Sequence, residues 1–109
     1  MKLSEVIPNL IEHIKINHNR LPDAVNQIIL FGSYARGAQR VGSDVDIAVA
    51  GEHIWETEPR CKVRDVFDDF DETVEISLFF TTTDKINEVE SKFDANYSIR
   101  EEGVLLWER

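Results

Sequence analysis

The chain has 109 residues, of which 42% are hydrophobic, and its 21 acidic and 12 basic side chains give a formal net charge of −9. This length suits one domain with a single core, and the hydrophobic content excludes a disordered chain. The excess of acid argues against stable binding of nucleic acid, whereas a nucleotide that carries its own divalent cation remains compatible. The charge fits either a basic protein partner or simple solubility.

Membrane and secreted proteins are also disfavoured. No stretch approaches the roughly 18 consecutive apolar residues of a membrane span, and the N-terminus lacks the pattern of a secretory signal. Cys61 is the only cysteine, so no internal disulfide is expected, and we predict a buried or unreactive thiol. Residues 1–109 are therefore expected to form a single cytoplasmic domain without a membrane anchor.

The first half of the chain predicts a helix followed by a strand. Ser4 is expected to cap the helix and to leave Pro8 in its first turn. Residues 17–23 are polar and form the connection, residues 26–31 form the first strand, and residues 33–39 form a short helix. The first helix is indicated by apolar residues at helical spacing: Leu3, Val6, Ile7, Leu10, Ile11 and Ile14.

The middle of the chain predicts two further strands around a helix. Residues 44–50 form the second strand, and Thr57-Glu58-Pro59 is a typical helix start, with Thr57 as the cap. Residues 73–80 are rich in β-branched and aromatic side chains and form the third strand. The buried face of the helix is expected to consist of Val63, Val66, Phe67 and Phe70.

The C-terminal part predicts a helix over residues 84–93 and then, from residue 98, a turn and a short apolar element. Gly103 is expected to end a helical turn, with residues 104–107 packing as an edge strand or a final turn. Taken together, the elements predict an α/β (α+β) domain in which helices flank a small mixed β-sheet.

Two aspartates at the start of the second strand are the strongest functional signal. Side chains alternate between the faces of a strand, so Asp44 and Asp46 share one face, roughly 6–7 Å apart. Val45, Ile47 and Val49 then occupy the other face. Paired carboxylates of this kind suit a divalent metal ion that carries a nucleoside triphosphate. A strand end exposed to solvent is the alternative interpretation of the pair alone.

A Gly-Ser turn precedes these aspartates by ten residues. Gly32 permits a sharp turn after the first strand, and a helix that begins at Ser33 would present free backbone donors to phosphate. Arg36 lies one turn later and is expected to reach phosphate oxygens, with Arg40 a weaker candidate. The turn alone is common, but Gly-Ser followed at this distance by Asp-x-Asp is expected by chance in about one chain of this length in a thousand.

A third carboxylate is expected from the neighbouring strand. Glu75 lies between apolar residues of the third predicted strand, where an acid is costly to bury unless it is paired or binds a metal. We predict Glu75 as the third metal ligand, and a solvated strand face is the alternative. Asp71 is the fallback, although it lies in an acidic run that is typical of a solvated helix end.

These motifs resemble a known family. GSYARG, then SDVDIAV and VEISLFF, together with the closing IREEGVLLWE, resemble the minimal nucleotidyltransferase family of the DNA polymerase beta superfamily. The resemblance implies a nucleotidyltransferase fold in which Gly32 and Ser33 hold the triphosphate and Asp44 and Asp46 bind two Mg²⁺ ions. Glu75 corresponds to the third acid, which is commonly an aspartate in the family.

The resemblance also implies a reaction and a partner. It implies transfer of a nucleoside monophosphate, AMP from ATP, to a hydroxyl group, with Glu75 helping to remove its proton and Arg36 steadying the leaving phosphates. Similar proteins often act as antitoxins beside a HEPN-type ribonuclease toxin, and some transfer AMP to the toxin. With the motifs placed between Gly32 and Glu75, no room is expected for a substrate-binding domain, so another chain or a homo-oligomer would recognise the acceptor.

Two other functions stay open at this point. The chain could neutralise a partner by binding alone. This alternative stays open because position 75 has a glutamate where the family commonly has an aspartate. It could also modify a small molecule such as an aminoglycoside. Among other residues, the histidines lack the spacing of metal ligands, Trp55 and Trp107 are expected to anchor the core or an interface, and Tyr34 suits either packing or nucleotide contact. The three histidines, at positions 13, 18 and 53, are expected near helix or loop surfaces.

Overall fold

A computed structural model describes the whole chain, Met1 to Arg109. Four helices and four strands form its regular structure, with a short 3₁₀ helix, His18–Arg20, after the first helix. The elements in chain order are α1 (Leu3–Asn17), β1 (Val25–Phe31), β2 (Val45–Gly51), α2 (Thr57–Asp68), β3 (Ile76–Thr81), α3 (Thr83–Glu88), α4 (Ala95–Glu102) and β4 (Val104–Glu108).

The strands form one mixed sheet in the order β3-β2-β1-β4. The central strand β1 is antiparallel to both β2 and β4, whereas β2 and β3 are parallel because α2 connects them across one face. Asp46 pairs with Phe31 on β1 and with Ser77 on β3. The start of β2 therefore lies beside the end of β1, which confirms the predicted mixed sheet.

Each face of the sheet has its own apolar cluster. Val45, Ile47 and Val49 belong to the larger cluster, which α1 and α2 cover. Ala48 and Ala50 point to the opposite face, where Ile86 of α3 and Ile99 of α4 pack on them. By the same alternation, Asp46 lies on the face of these alanines, whereas Asp44 immediately precedes β2 and is exposed.

The first helix forms as predicted, but its start differs. Lys2 is the N-cap residue and makes no side-chain capping bond, so the predicted cap at Ser4 is wrong. Pro8 lies in the second turn rather than the first, where its missing N–H leaves the Ser4 carbonyl without a helical donor. Thr57 is likewise the first residue of α2 rather than its cap, which is Glu56.

The short helix predicted over residues 33–39 is absent. A series of turns covers residues 33–37, and the Gly32 carbonyl accepts hydrogen bonds from the N–H groups of both Ala35 and Arg36. Gly37 then has φ of +70°, which ends any helical path.

The C-terminal prediction needs the larger correction. The helix expected over residues 84–93 ends at Glu88, and a separate helix, α4, begins at Ala95. Asp94 caps α4 by accepting from the Asn96 N–H at 2.8 Å, so the chain restarts a helix that apolar spacing did not reveal. The residues after Gly103, predicted to pack as an edge strand or a final turn, form the strand β4 on the edge of the sheet. No helix is both long and apolar enough to cross a membrane.

Candidate active site

The Asp46 side chain lies directly against the backbone of Gly32. A Cβ atom on Gly32 would collide with the Asp46 carboxylate, and Gly32 also has φ of +74°, a conformation that other residues rarely adopt. The backbone conformation therefore favours glycine here, and any other residue would also displace the Asp46 carboxylate. The structure brings the Gly-Ser turn and the second aspartate together, although fourteen positions separate them in the sequence.

The two aspartates interact electrostatically. Burial is the main cause that raises the pKa of Asp46 above its ordinary value, and the nearby charge of Asp44 raises it further. The guanidinium of Arg36 acts in the opposite sense and lowers that pKa. Asp46 is thus a half-buried carboxylate between a like charge and an opposite charge, an environment that favours a bound cation.

The turn after β1 presents unpaired donors. The backbone N–H groups of Ser33 and Tyr34 make no hydrogen bond within the protein, whereas those of Ala35 and Arg36 are bonded to Gly32. Free N–H groups beside an arginine and a serine hydroxyl are suitable partners for phosphate oxygens. Gly32, Ser33 and Arg36, all predicted to bind nucleotide, therefore lie on one turn beside Asp46.

Glu75 immediately precedes β3, the strand next to β2 in the sheet. Its carbonyl oxygen accepts a hydrogen bond from the Val45 N–H at 2.8 Å, which places its backbone beside the start of β2. Its side chain is exposed and, with Tyr34 and Val74, lines a cavity of about 630 Å³ near the start of α1. Neither aspartate lines this cavity.

The side chains of Asp44, Asp46 and Glu75 do not together form a complete metal-binding site. No group of three or more His, Cys, Asp or Glu side chains is arranged to hold a metal ion. The oxygen donors of Asp44 and Asp46 do suit Mg²⁺, and the Asp46 carboxylate lies against the backbone of Gly32. The metal-binding role of Glu75 stays a prediction.

Burial and packing show where the other residues considered in the sequence analysis lie. Tyr34 is 8% exposed and belongs to the main core, so packing accounts for this side chain. Cys61 is exposed rather than buried. His13 is half-buried instead of lying at the surface, and its Nε2 atom is 2.6 Å from the Val66 carbonyl oxygen, which links α1 to α2. Trp107 packs against the core, whereas Trp55 is exposed.

Sequence reasoning missed two residues of α4 at the edge of the site. Glu102 Oε2 lies 3.2 Å from Arg36 Nη1, and the Ser98 hydroxyl donates to the same oxygen at 3.3 Å. The Arg36–Glu102 contact spans 66 positions. No local pattern could have revealed it, because it depends on how α4 packs on the sheet.

Comparison with known proteins assigns the fold. The sequence matches the family model described as "Polymerase beta, Nucleotidyltransferase" over residues 11–109. The chain belongs to this family. The matched range includes both halves of the site, the Gly-Ser turn and the aspartate pair, so the nucleotidyltransferase fold predicted from the motifs is confirmed. Comparison with curated proteins gives no significant match.

Solved structures resemble this nucleotidyltransferase domain across most of its length. A proposed nucleotidyltransferase from Sulfolobus solfataricus has a TM-score of 0.57 and 19% identity, covering 94% of this chain and 80% of its own. A toxin-antitoxin structure with AMP-PNP has a TM-score of 0.53 and 22% identity, with coverage of 94% and 73%. A mutant of the toxin-antitoxin MntA-HpeT has a TM-score of 0.55 and 20% identity, with the same coverage of 94% and 73%. At these identities the likeness shows the fold alone.

Proposed function

We propose that this domain is a Mg²⁺-dependent nucleotidyltransferase that transfers AMP from ATP to a hydroxyl group of a partner protein. The main support for the proposal is the contact between the Asp46 carboxylate and Gly32, because it places the aspartate pair beside the turn that we propose to bind phosphate. Membership of the polymerase beta nucleotidyltransferase family supports the same reaction class.

Each residue of the proposed site has its own role in the transfer reaction. The acceptor oxygen forms a bond to the α-phosphorus of ATP, the bond from that phosphorus to the bridging oxygen breaks, and pyrophosphate leaves. Asp44 and Asp46 would hold the divalent ions, which neutralise charge on the phosphates when bound. Ser33 and Arg36 bind the β- and γ-phosphates, and Glu75 takes the proton from the acceptor hydroxyl.

The proposed acceptor is a HEPN-type ribonuclease toxin, for which this domain acts as a cytoplasmic antitoxin. Two structures with the same fold are of toxin-antitoxin systems, and one of them contains AMP-PNP, an ATP analogue. The net charge of −9 suits a basic protein partner. A homo-oligomer within such a complex is compatible with this role.

A labelling assay tests the transfer. The protein is incubated with Mg²⁺, ATP labelled at the α-phosphate and a purified HEPN-type partner, alongside Asp44→Asn and Asp46→Asn. We expect label on the partner that falls at least 100-fold in both variants, since each removes a ligand charge. Asp68→Asn, at an exposed position at the end of α2, is the matched control and should keep full activity. Equal labelling by all four proteins would refute the assignment.

Neutralisation by binding alone is the second candidate, and the lack of an assembled three-acid group favours it. The same variants separate the two functions when the ribonuclease activity of the partner is measured. If Asp44→Asn and Asp46→Asn still neutralise the partner completely and without label, binding is sufficient. Loss of both label and neutralisation supports catalysis.

A further inference from the structure

The side chain of Arg36 is held by a helix that lies far from it in the sequence. One nitrogen, Nη1, contacts Glu102 Oε2 at 3.2 Å, and that carboxylate is in turn bound by the Ser98 hydroxyl. The Arg36 and Glu102 side chains remain 49% and 43% exposed, so this ion pair contributes little to folding stability.

Hydrogen bonds and packing connect the helix that carries Glu102 to its neighbours. Arg100 on the same helix donates to the carbonyl oxygens of Asn87 and Val89, at 3.1 and 2.9 Å, and so ties α4 to the end of α3. Ile99 is 2% exposed and anchors α4 on the sheet. Glu102 thus projects from a helix that is bonded to α3 and packed on the sheet, whereas Arg36 projects from a series of turns.

A guanidinium has five N–H donors, and Glu102 occupies one nitrogen of the Arg36 group. The other N–H donors of Arg36 remain available. Arg36 follows Ser33 and Tyr34, whose backbone N–H groups are also unpaired. Arginine binds phosphate best when its planar group is already oriented, because less side-chain freedom is then lost on binding.

We propose that Glu102, supported by Ser98, is a positioning residue that orients Arg36 for the polyphosphate of the nucleoside triphosphate. This inference rests on the proposed function. It assigns to α4 a part in nucleotide binding that is separate from the acid pair. The opposite role, in which Glu102 competes with phosphate for Arg36, predicts an effect of opposite sign.

Nucleotide affinity provides the first test. Binding of ATP with Mg²⁺ is measured by calorimetry for the wild type, Glu102→Gln, Arg36→Gln and the double variant. We expect Glu102→Gln to weaken ATP about 5- to 10-fold and Arg36→Gln by at least as much, with the double variant no worse than Arg36→Gln. Glu101→Gln is the matched control, because its carboxylate contacts Arg100 rather than Arg36 and its loss should change ATP affinity less than 2-fold.

Tighter binding of ATP by Glu102→Gln, or additive losses in the double variant, would overturn the proposal. In the labelling assay, the KM for ATP should rise in Glu102→Gln while kcat at saturating ATP stays within about 2-fold, a separation that a general folding defect would not produce.

A side-chain measurement keeps this inference distinct from the proposed function. The ¹⁵N-labelled guanidinium of Arg36 is observed by NMR without nucleotide, where the wild type should show restricted rotation that Glu102→Gln abolishes. If the wild type binds no ATP, the proposed function fails even when this signal confirms the ion pair. If Arg36 rotates equally freely in both proteins, positioning by Glu102 is wrong whatever the affinity for ATP.

Discussion

Gly32 is constrained in two ways, and a matched glycine separates them. Gly32 and Gly37 have similar positive φ angles, +74° and +70°, but only Gly32 has a neighbour where a Cβ atom would lie. That neighbour is the carboxylate of Asp46. The backbone strain of an alanine is therefore common to both positions, whereas displacement of Asp46 occurs at only one.

We predict that Gly32→Ala and Gly37→Ala both lower stability, by about 1–2 kcal/mol from backbone strain. Gly32→Ala should also reduce transfer at least 100-fold, because Asp46 must move, whereas Gly37→Ala should reduce it less than 5-fold. Urea unfolding gives the stability, and the labelling assay gives the activity. Equal activity losses in the two variants would show that the contact with Asp46 is unimportant.

Asp46 is expected to lower folding stability at neutral pH. Because its pKa is raised in the folded state, the unfolded chain releases the proton more readily, so the cost of the charge is present above the folded pKa. The cost decreases as pH falls through that value and is absent once the group is protonated in both states. A carboxylate kept at this cost is typical of a functional site.

We predict that Asp46→Asn raises the Tm of the metal-free protein at pH 7 by about 1–3 °C, a modest effect because water screens the half-exposed group. The difference from wild type should vanish near pH 3, where Asp46 is neutral. Thermal unfolding followed by circular dichroism across this pH range measures both. A Tm difference that does not depend on pH would contradict the electrostatic cause.

At the level of elements, α4 is the helix that links the core to the edge of the site. Its first turn is capped by Asp94, which accepts from both the backbone and the side chain of Asn96. At its other end, a Cβ atom on Gly103 would collide with the Ile99 carbonyl oxygen, so the chain can turn this sharply into β4 only without a side chain there. Both ends of α4 are therefore fixed locally.

We predict that Asp94→Ala destabilises the domain by about 1 kcal/mol, the usual effect of removing a capping side chain. Asp94→Asn keeps the accepting oxygen and should cost less than about 0.5 kcal/mol. Urea unfolding compares the variants, and amide exchange should show faster opening in residues 95–102 for the alanine variant alone. Equal destabilisation by both would mean that the charge, rather than the cap, stabilises α4.

On the scale of the whole molecule, the net charge of −9 should influence how the domain meets its proposed partner. Opposite charges accelerate encounter, and salt screens this attraction over about 10 Å at 0.1 M. The dissociation rate depends more on short-range contacts and should be less sensitive to salt.

We predict that the association rate constant with a basic HEPN-type partner falls about tenfold between 20 and 200 mM salt, while the dissociation rate changes less than threefold. Stopped-flow or surface plasmon measurements give both constants. An association rate that does not vary with salt would mean that the acidic surface serves solubility instead.

The sequence alone was sufficient to predict a small mixed sheet flanked by helices. Alternation along residues 45–49 correctly placed Val45, Ile47 and Val49 in the main core, because this pattern is local and strong. Residues 33–39 were predicted as a helix, because the spacing of apolar residues does not reveal the left-handed conformation of Gly37. The start of α4 was missed because its signal is a capping side chain, Asp94, and the helix buries only Asn96 and Ile99.

Local chemistry thus determined the strands, the Gly-Ser turn and the core-facing side of β2, each of which depends on residues close together in the chain. Only the tertiary structure decided that Asp46 rests on Gly32, that Glu102 reaches Arg36, and that Glu75 is not gathered with the two aspartates into a ready metal group. These contacts depend on strand register and on the packing of α4 against the sheet. Such relations between distant segments are set by the whole fold rather than by any local pattern.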